Sequence, residues 1–228
     1  MQADDLVYYK VAVNETDLYI GSMTDRRREA EDFVEMERHL LEAYIARDPM
    51  FGEALRPVSV RKDAPLIAQN MARAARCVGV GPMAAVAGAF AERLAAEVYA
   101  DDSDVIIENG GDIYLKTSAA RIVEIYAGES VFRGKVRLSV APRMSPLGIC
   151  TSSGKFGHSL SFGKADAACI LSSDAYLADA AATAVCNRVK NAGDIAAALE
   201  YVQSVSGLTG AIVICDGKMG VWGDIVLI

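Results

Sequence analysis

The sequence predicts a layered α/β domain of the α+β kind, with mixed or antiparallel sheets packed against helices. Three observations carry this expectation. Apolar residues in the first hundred positions recur mainly at helical spacing, those after Val105 fall into short β runs with helices interposed, and no linker or low-complexity segment intervenes. At 228 residues the chain suits a single domain, or two close lobes at about residues 1–104 and 105–228.

Residues 6–13 and 18–21 read as strands joined by a turn at Asn14-Glu15-Thr16-Asp17. Thr24 is placed to cap a long amphipathic helix whose apolar positions are Phe33, Val34, Met36, Leu40, Leu41, Tyr44 and Ile45. Asp48-Pro49 ends it. His39, among Glu and Arg residues on this helix, reads as a surface histidine. Asp63 caps the next helix, with Pro65 in its first turn, and residues 79–82 break it from another over residues 83–99. That second helix carries Ala84, Ala85, Ala87, Gly88 and Ala91, small enough for close approach to a sheet or a ligand; close packing is the simpler reading. Short strands follow at 105–107, 112–116, 121–127, 136–140, 148–151, 159–162 and 167–171, then helices over 175–189 and 194–204. The chain closes with strands at 211–215 and 220–227 about an Asp216-Gly217 turn.

Composition excludes several partners. The net charge is −7, and the densest positive run, Arg26-Arg27-Arg28, is followed at once by Glu29, Glu31 and Asp32. Neither nucleic acid nor an anionic membrane surface is therefore expected as a main partner. The first residues are acidic where a signal peptide is basic, and the most apolar stretch, residues 78–91, contains Pro82. It falls short of the ~20 residues that span a bilayer, so the expected location is cytoplasmic. Five cysteines, odd in number and without a CxxC, point to neither a disulfide framework nor a metal site. Cys77, Cys169, Cys186 and Cys215 read as core residues, and Cys150, beside a polar turn, as the exception.

Four features carry chemical potential. Asn109-Gly110-Gly111-Asp112 sits between two strands, where paired glycines let the backbone approach a ligand; taken alone, a plain β-turn is the simpler reading. Thr151-Ser152-Ser153-Gly154 ends a strand in a hydroxyl-rich turn suited to a phosphate, with Lys155 either adding charge or pointing to solvent. His158 follows that turn and is either structural or a proton-transfer group near neutral pH. Asp179 and Thr183, four apart on a helix of tiny residues, share one face. They are either a helix-end charge and a back-bonded hydroxyl, or hard oxygen donors for Mg²⁺.

Taken in that order, the four features resemble the ApbE family of FAD:protein FMN transferases. The similarity is strongest over residues 105–187, in the runs Glu-Asn-Gly-Gly-Asp-Ile-Tyr and Gly-His-Ser-Leu-Ser-Phe-Gly-Lys-Ala-Asp-Ala, which are those of a short, soluble branch. The resemblance implies an ApbE-like fold. It implies Mg²⁺ on Asp179 and Thr183, a functional histidine at His158, and a flavin nucleotide (FAD or FMN) beside residues 151–154. The chain departs from the transferases at Ala87, where they carry lysine, and after His158, where Ser-Leu-Ser-Phe replaces an acidic-Pro-x-Thr-Gly run. Two functions follow as expectations. One is a Mg²⁺-dependent flavin or nucleotidyl transferase acting on a phosphate-bearing small molecule, with a protein acceptor. The other is a non-transferase accessory or ligand-binding protein, in line with the branch's association with sulfur assimilation toward homocysteine. A blander third reading is a homo-oligomeric scaffold with a vestigial site.

Overall fold

The computed structural model describes residues 5–155 and 163–228. It opens with a hairpin of β1 (Val7–Val13) and β2 (Thr16–Ser22), in which Val13 faces Thr16. The turn is thus Asn14 and Glu15 alone, with Asn14 at φ 52°, a conformation asparagine tolerates. Helix α1 (Arg27–Arg47) does not use Thr24 as its cap. Arg26 precedes it, Asp25 accepts from the Arg27 N–H, and the Thr24 hydroxyl holds the Arg26 guanidinium. Its inner face buries Val34, Leu41 and Tyr44, while Met36 and Leu40 remain 48% and 44% exposed. Glu37 is buried in their stead, because Arg93 reaches it with two nitrogens.

A short α2 (Pro49–Glu53) follows the Asp48 stop. Helix α3 (Leu66–Val78) starts directly after Pro65 and ends on Gly79 at φ 77°. Asp63 is not its cap; its carboxylate binds Arg47 and Arg61 instead. A 3₁₀ turn, Pro82–Ala85, leads into α4 (Val86–Val98), the second of the helices split by residues 79–82. No single helix among the described residues is long and apolar enough to cross a membrane.

The remaining elements are β3 (Val105–Asn109), β4 (Asp112–Lys116), β5 (Arg121–Glu124), β6 (Arg137–Val140), β7 (Leu147–Ser152), β8 (Ala167–Ser172), α5 (Ala175–Arg188), α6 (Ile195–Ser204), β9 (Leu208–Cys215), β10 (Lys218–Gly223) and β11 (Val226–Leu227). The strand expected at 159–162 lies outside the described residues. Eight strands form one antiparallel sheet in the order β1-β2-β3-β4-β7-β8-β9-β10, and three form a smaller one, β11-β6-β5. The β2–β3 pairing joins the first hundred residues to the rest within that sheet.

Strand alternation explains the layers. On β8, Ala168 and Ile170 enter the core under the helices, whereas Ala167, Cys169 and Leu171 enter a second core under the small sheet. The large sheet is therefore covered on both faces, and its central strands are apolar throughout. Helix α5 lies at the centre of the helical layer and buries every residue from Ala175 to Cys186. It sits close on β7 because Gly148 has no side chain: a Cβ there would stand 2.6 Å from Ala175 Cα.

Burial corrects the reading of the cysteines. Four of the five are buried, but the exposed one is Cys77, and Cys150 has no accessible surface. Cys77 ends a turn of α3 whose inner face is occupied by Ala74, Ala75 and Val78. One thiol per chain is therefore expected to react quickly with a disulfide reagent in the native protein, and Cys77→Ser to remove that phase. Rapid labelling of Cys150 in the folded state would contradict the packing.

Candidate functional site

Glycine chemistry builds the first wall. Asn109 faces Asp112 across β3 and β4, leaving Gly110 and Gly111 as a two-residue loop at φ 62° and 105°. Positive φ at both positions is the requirement of a tight hairpin turn, and no atom stands within 4 Å of where either Cβ would be. The turn is tied to α4 by the Asn109 side chain, whose Nδ2 donates to the Ala87 carbonyl at 3.2 Å.

Two acids meet behind this turn. The register that sets Ile113 against Ile149 brings Asp112 opposite Cys150, both facing the helical layer. The Thr151 N–H donates to Asp112 Oδ1 at 3.0 Å. From α5, Asp179 is 8% exposed, and its Oδ2 accepts from the Gly88 N–H at 2.8 Å, in the first turn of α4. Only glycine fits at 88, since a Cβ would stand 2.3 Å from the Ala175 carbonyl oxygen. Thr183, 7% exposed, lies one turn beyond Asp179 on the same face.

The electrostatics follow from enclosure. Burial pushes the Asp112 carboxyl up to about 7, with Glu108 adding to the rise and the Thr151 amide and Cys150 thiol opposing it. Burial also lifts Asp179 well above the usual carboxylate range; the charge of Asp112 adds to this, and the Gly88 and Ala87 amides oppose it. The Cys150 thiol is raised by its own burial and then by both acids. Enclosure thus disfavours charge on both acids, and the charge of Asp112 disfavours it further on Asp179.

The hydroxyl turn contributes less than its composition suggests. Alternation sends the Thr151 side chain to the other face of the sheet, beside the Cys169 thiol. Ser153 Oγ and the Gly154 N–H both donate to the Ala165 carbonyl, at 3.4 and 3.0 Å, and the Lys155 N–H donates to Ser153 Oγ. Lys155 Nζ pairs with Asp166 at 2.7 Å. Ser152 differs: it is 4% exposed, shares the helix-facing side with Cys150, and its hydroxyl has no partner among the described residues. The turn is packed toward the end of α5, because a Cβ on Gly154 would meet the Gly163 carbonyl and one on Gly163 the Cys186 carbonyl. His158 lies outside the described residues.

The structure thus gathers Asn109, Gly110, Gly111 and Asp112 with Asp179 on one side of α5, and places Ser152 and Thr183 on the faces turned to it. Sequence reasoning missed the two groups that shape this centre, the Gly88 amide and the Cys150 thiol. A glycine inside a helix of good helix formers was the available signal for the first. Among the described residues no three His, Cys, Asp or Glu side chains are placed to hold an ion by themselves. Two open clefts, of about 450 and 280 Å³, lie elsewhere, the larger beside Tyr114 and Lys116 and the smaller beside Lys155 and Asp216.

The fold is that of the ApbE proteins. The chain superposes on the Flavin Transferase ApbE from Vibrio cholerae with a TM-score of 0.58, 12% identity, and 95% and 96% of the two chains covered. The ApbE protein of Thermotoga maritima matches with a TM-score of 0.56, 12% identity, and 97% and 96% covered. Within that fold the chain belongs to the AbpE bacteria family, whose model matches residues 1–221. A UPF0280 protein of Methanocella arvoryzae is 43% identical over 84% of this chain and 78% of its own length. One from Methanopyrus kandleri is 41% identical over 94% of this chain and 89% of its own.

Proposed function

We propose that this protein binds a flavin nucleotide or a related phosphate-bearing ligand together with Mg²⁺ at the Asp112–Asp179 centre, and acts as a flavin or nucleotidyl transferase. The observation that carries the reading is the enclosure of two acids, Asp112 and Asp179, with the Thr183 hydroxyl one turn beyond Asp179 on the same helix face. Carboxylate and hydroxyl oxygens are the donors Mg²⁺ prefers, and it fills its remaining positions with water and ligand phosphate.

When bound, the ion would neutralise charge on phosphoryl oxygens. The chain's own residues do the rest. Asp179, whose Oδ2 is held by the Gly88 amide, offers its carboxylate to the cation, and Thr183 adds its hydroxyl. Asp112, steadied by the Thr151 amide, closes the opposite side. The Ser152 hydroxyl donates to a phosphate oxygen, Gly110 and Gly111 admit the ligand against bare backbone, and His158 serves proton transfer. Asn109 positions the turn through Ala87.

One observation favours a second reading, a binding or accessory protein that does not transfer. Ala87 brings no cation to the site, and Lys155 is held by Asp166. Such a protein would retain the ligand, with a role in sulfur assimilation toward homocysteine. Incubation with FAD, Mg²⁺ and a candidate acceptor protein separates the two. Transfer predicts release of AMP, abolished in Asp179→Ala; tight flavin binding with no AMP from any acceptor selects the accessory reading, and no flavin binding at all removes the flavin assignment.

A further inference from the structure

Glu92 stands one turn beyond Gly88 on α4, and its Oε2 accepts from the Ala175 N–H at 2.6 Å. Ala175 is the first residue of α5 and is completely buried, so this amide has no access to water and must be paired within the protein. Asp174, the cap of α5, is committed to the Leu177 N–H and to Arg73 and does not serve it. One turn away along the same contact, the Gly88 N–H donates to Asp179. The helices run antiparallel, and each lends a first-turn amide to a carboxylate of the other. The arrangement is rigid, since the gap between them admits no Cβ at 88.

A half-buried carboxylate is costly on a helix whose buried residues are otherwise apolar, and burial raises the Glu92 carboxyl above its ordinary range. Packing alone would be served by an apolar residue. What Glu92 supplies is an acceptor that ties α4 to the first amide of α5, a turn before Asp179. We propose that Glu92 is a positioning residue for the acid centre: by holding the first amide of α5 it sets the distance of Asp179 and Thr183 from Asp112. This rests on the reading that the centre takes a divalent cation.

The test is Mn²⁺ binding to the whole protein, followed by calorimetry well below the melting temperature, with metal-free melting recorded alongside. Glu92→Ala is expected to weaken Mn²⁺ by about tenfold or more, as removal of groups that orient metal ligands does. Glu92→Gln, which keeps the acceptor, restores the wild-type affinity. Glu92→Asp, one methylene short, behaves like alanine, and its comparison with Gln decides the matter if the alanine variant does not fold. A Glu92→Ala protein that melts lower yet binds Mn²⁺ as the wild type does would overturn the inference and leave the cation reading standing. Failure of the wild type to bind Mn²⁺ would overturn both.

Discussion

Asp112→Asn is expected to make the metal-free protein more stable than the wild type at pH 8, while weakening its hold on a divalent cation. Burial raises this carboxyl from 3.8 in the unfolded chain to about 7 in the fold, so the folded state keeps its proton more tightly. Wild-type stability therefore falls as pH rises from about 4 to about 7 through this group, and the deficit persists above. Asparagine has no charge to enclose and still offers an oxygen to the Thr151 amide. The gain should be absent at pH 4 and reach at most ~4 kcal/mol at pH 8, at ~1.4 kcal/mol for each pKa unit. In a chain of this length that is on the order of 10 °C in Tm. Thermal melts in EDTA across this range check it, and Mg²⁺ should reverse the order by stabilising only the wild type. Equal melting of the two proteins at pH 8 would mean that the fold does not hold the proton of Asp112 more tightly than the unfolded chain does.

Gly88→Ala should produce a large loss of stability. The new Cβ would lie 2.3 Å from the Ala175 carbonyl oxygen and 3.0 Å from Asp179 Cβ, both on the buried α5. Neither neighbour is the free end of a flexible chain, so α4 must move away from α5. Overpacking of this kind costs about 1–3 kcal/mol, and the movement also breaks the Gly88–Asp179 hydrogen bond. Urea denaturation should show a lower midpoint with unchanged slope, and cation binding should fall with it. Helix propensity alone would favour alanine at this position, so a Gly88→Ala midpoint at or above that of the wild type would contradict the close approach.

How far these features were readable in advance depended on whether their cause was local. β4 and the start of α5 lie where the sequence puts them, because alternation on one and an aspartate cap on the other are written in adjacent residues. The Gly110-Gly111 turn was legible for the same reason, and Asp179 stood out as an acid in a helix of alanines. The caps assigned to Thr24 and Asp63 failed because arginine side chains, Arg26 at the first and Arg47 and Arg61 at the second, claimed them. Met36 and Leu40 follow helical spacing yet face outward, since Arg93 from another helix made Glu37 the buried position. Cys150 was set apart from the core cysteines by its polar neighbours, but strand alternation turns it inward, and β7 runs on to Ser152 before the turn. Glu92 gave no local signal, because its partner lies 83 positions along the chain.

The reading proposed above makes Asp112 and Asp179 a cation-dependent site for a phosphate-bearing ligand. Calorimetric titration of FAD into the wild type and into Asp179→Ala, each with Mg²⁺ and again with EDTA, tests it most directly. Saturable binding by the wild type in Mg²⁺, lost in EDTA and lost in the variant, is the predicted result; binding that survives both EDTA and the substitution would contradict it.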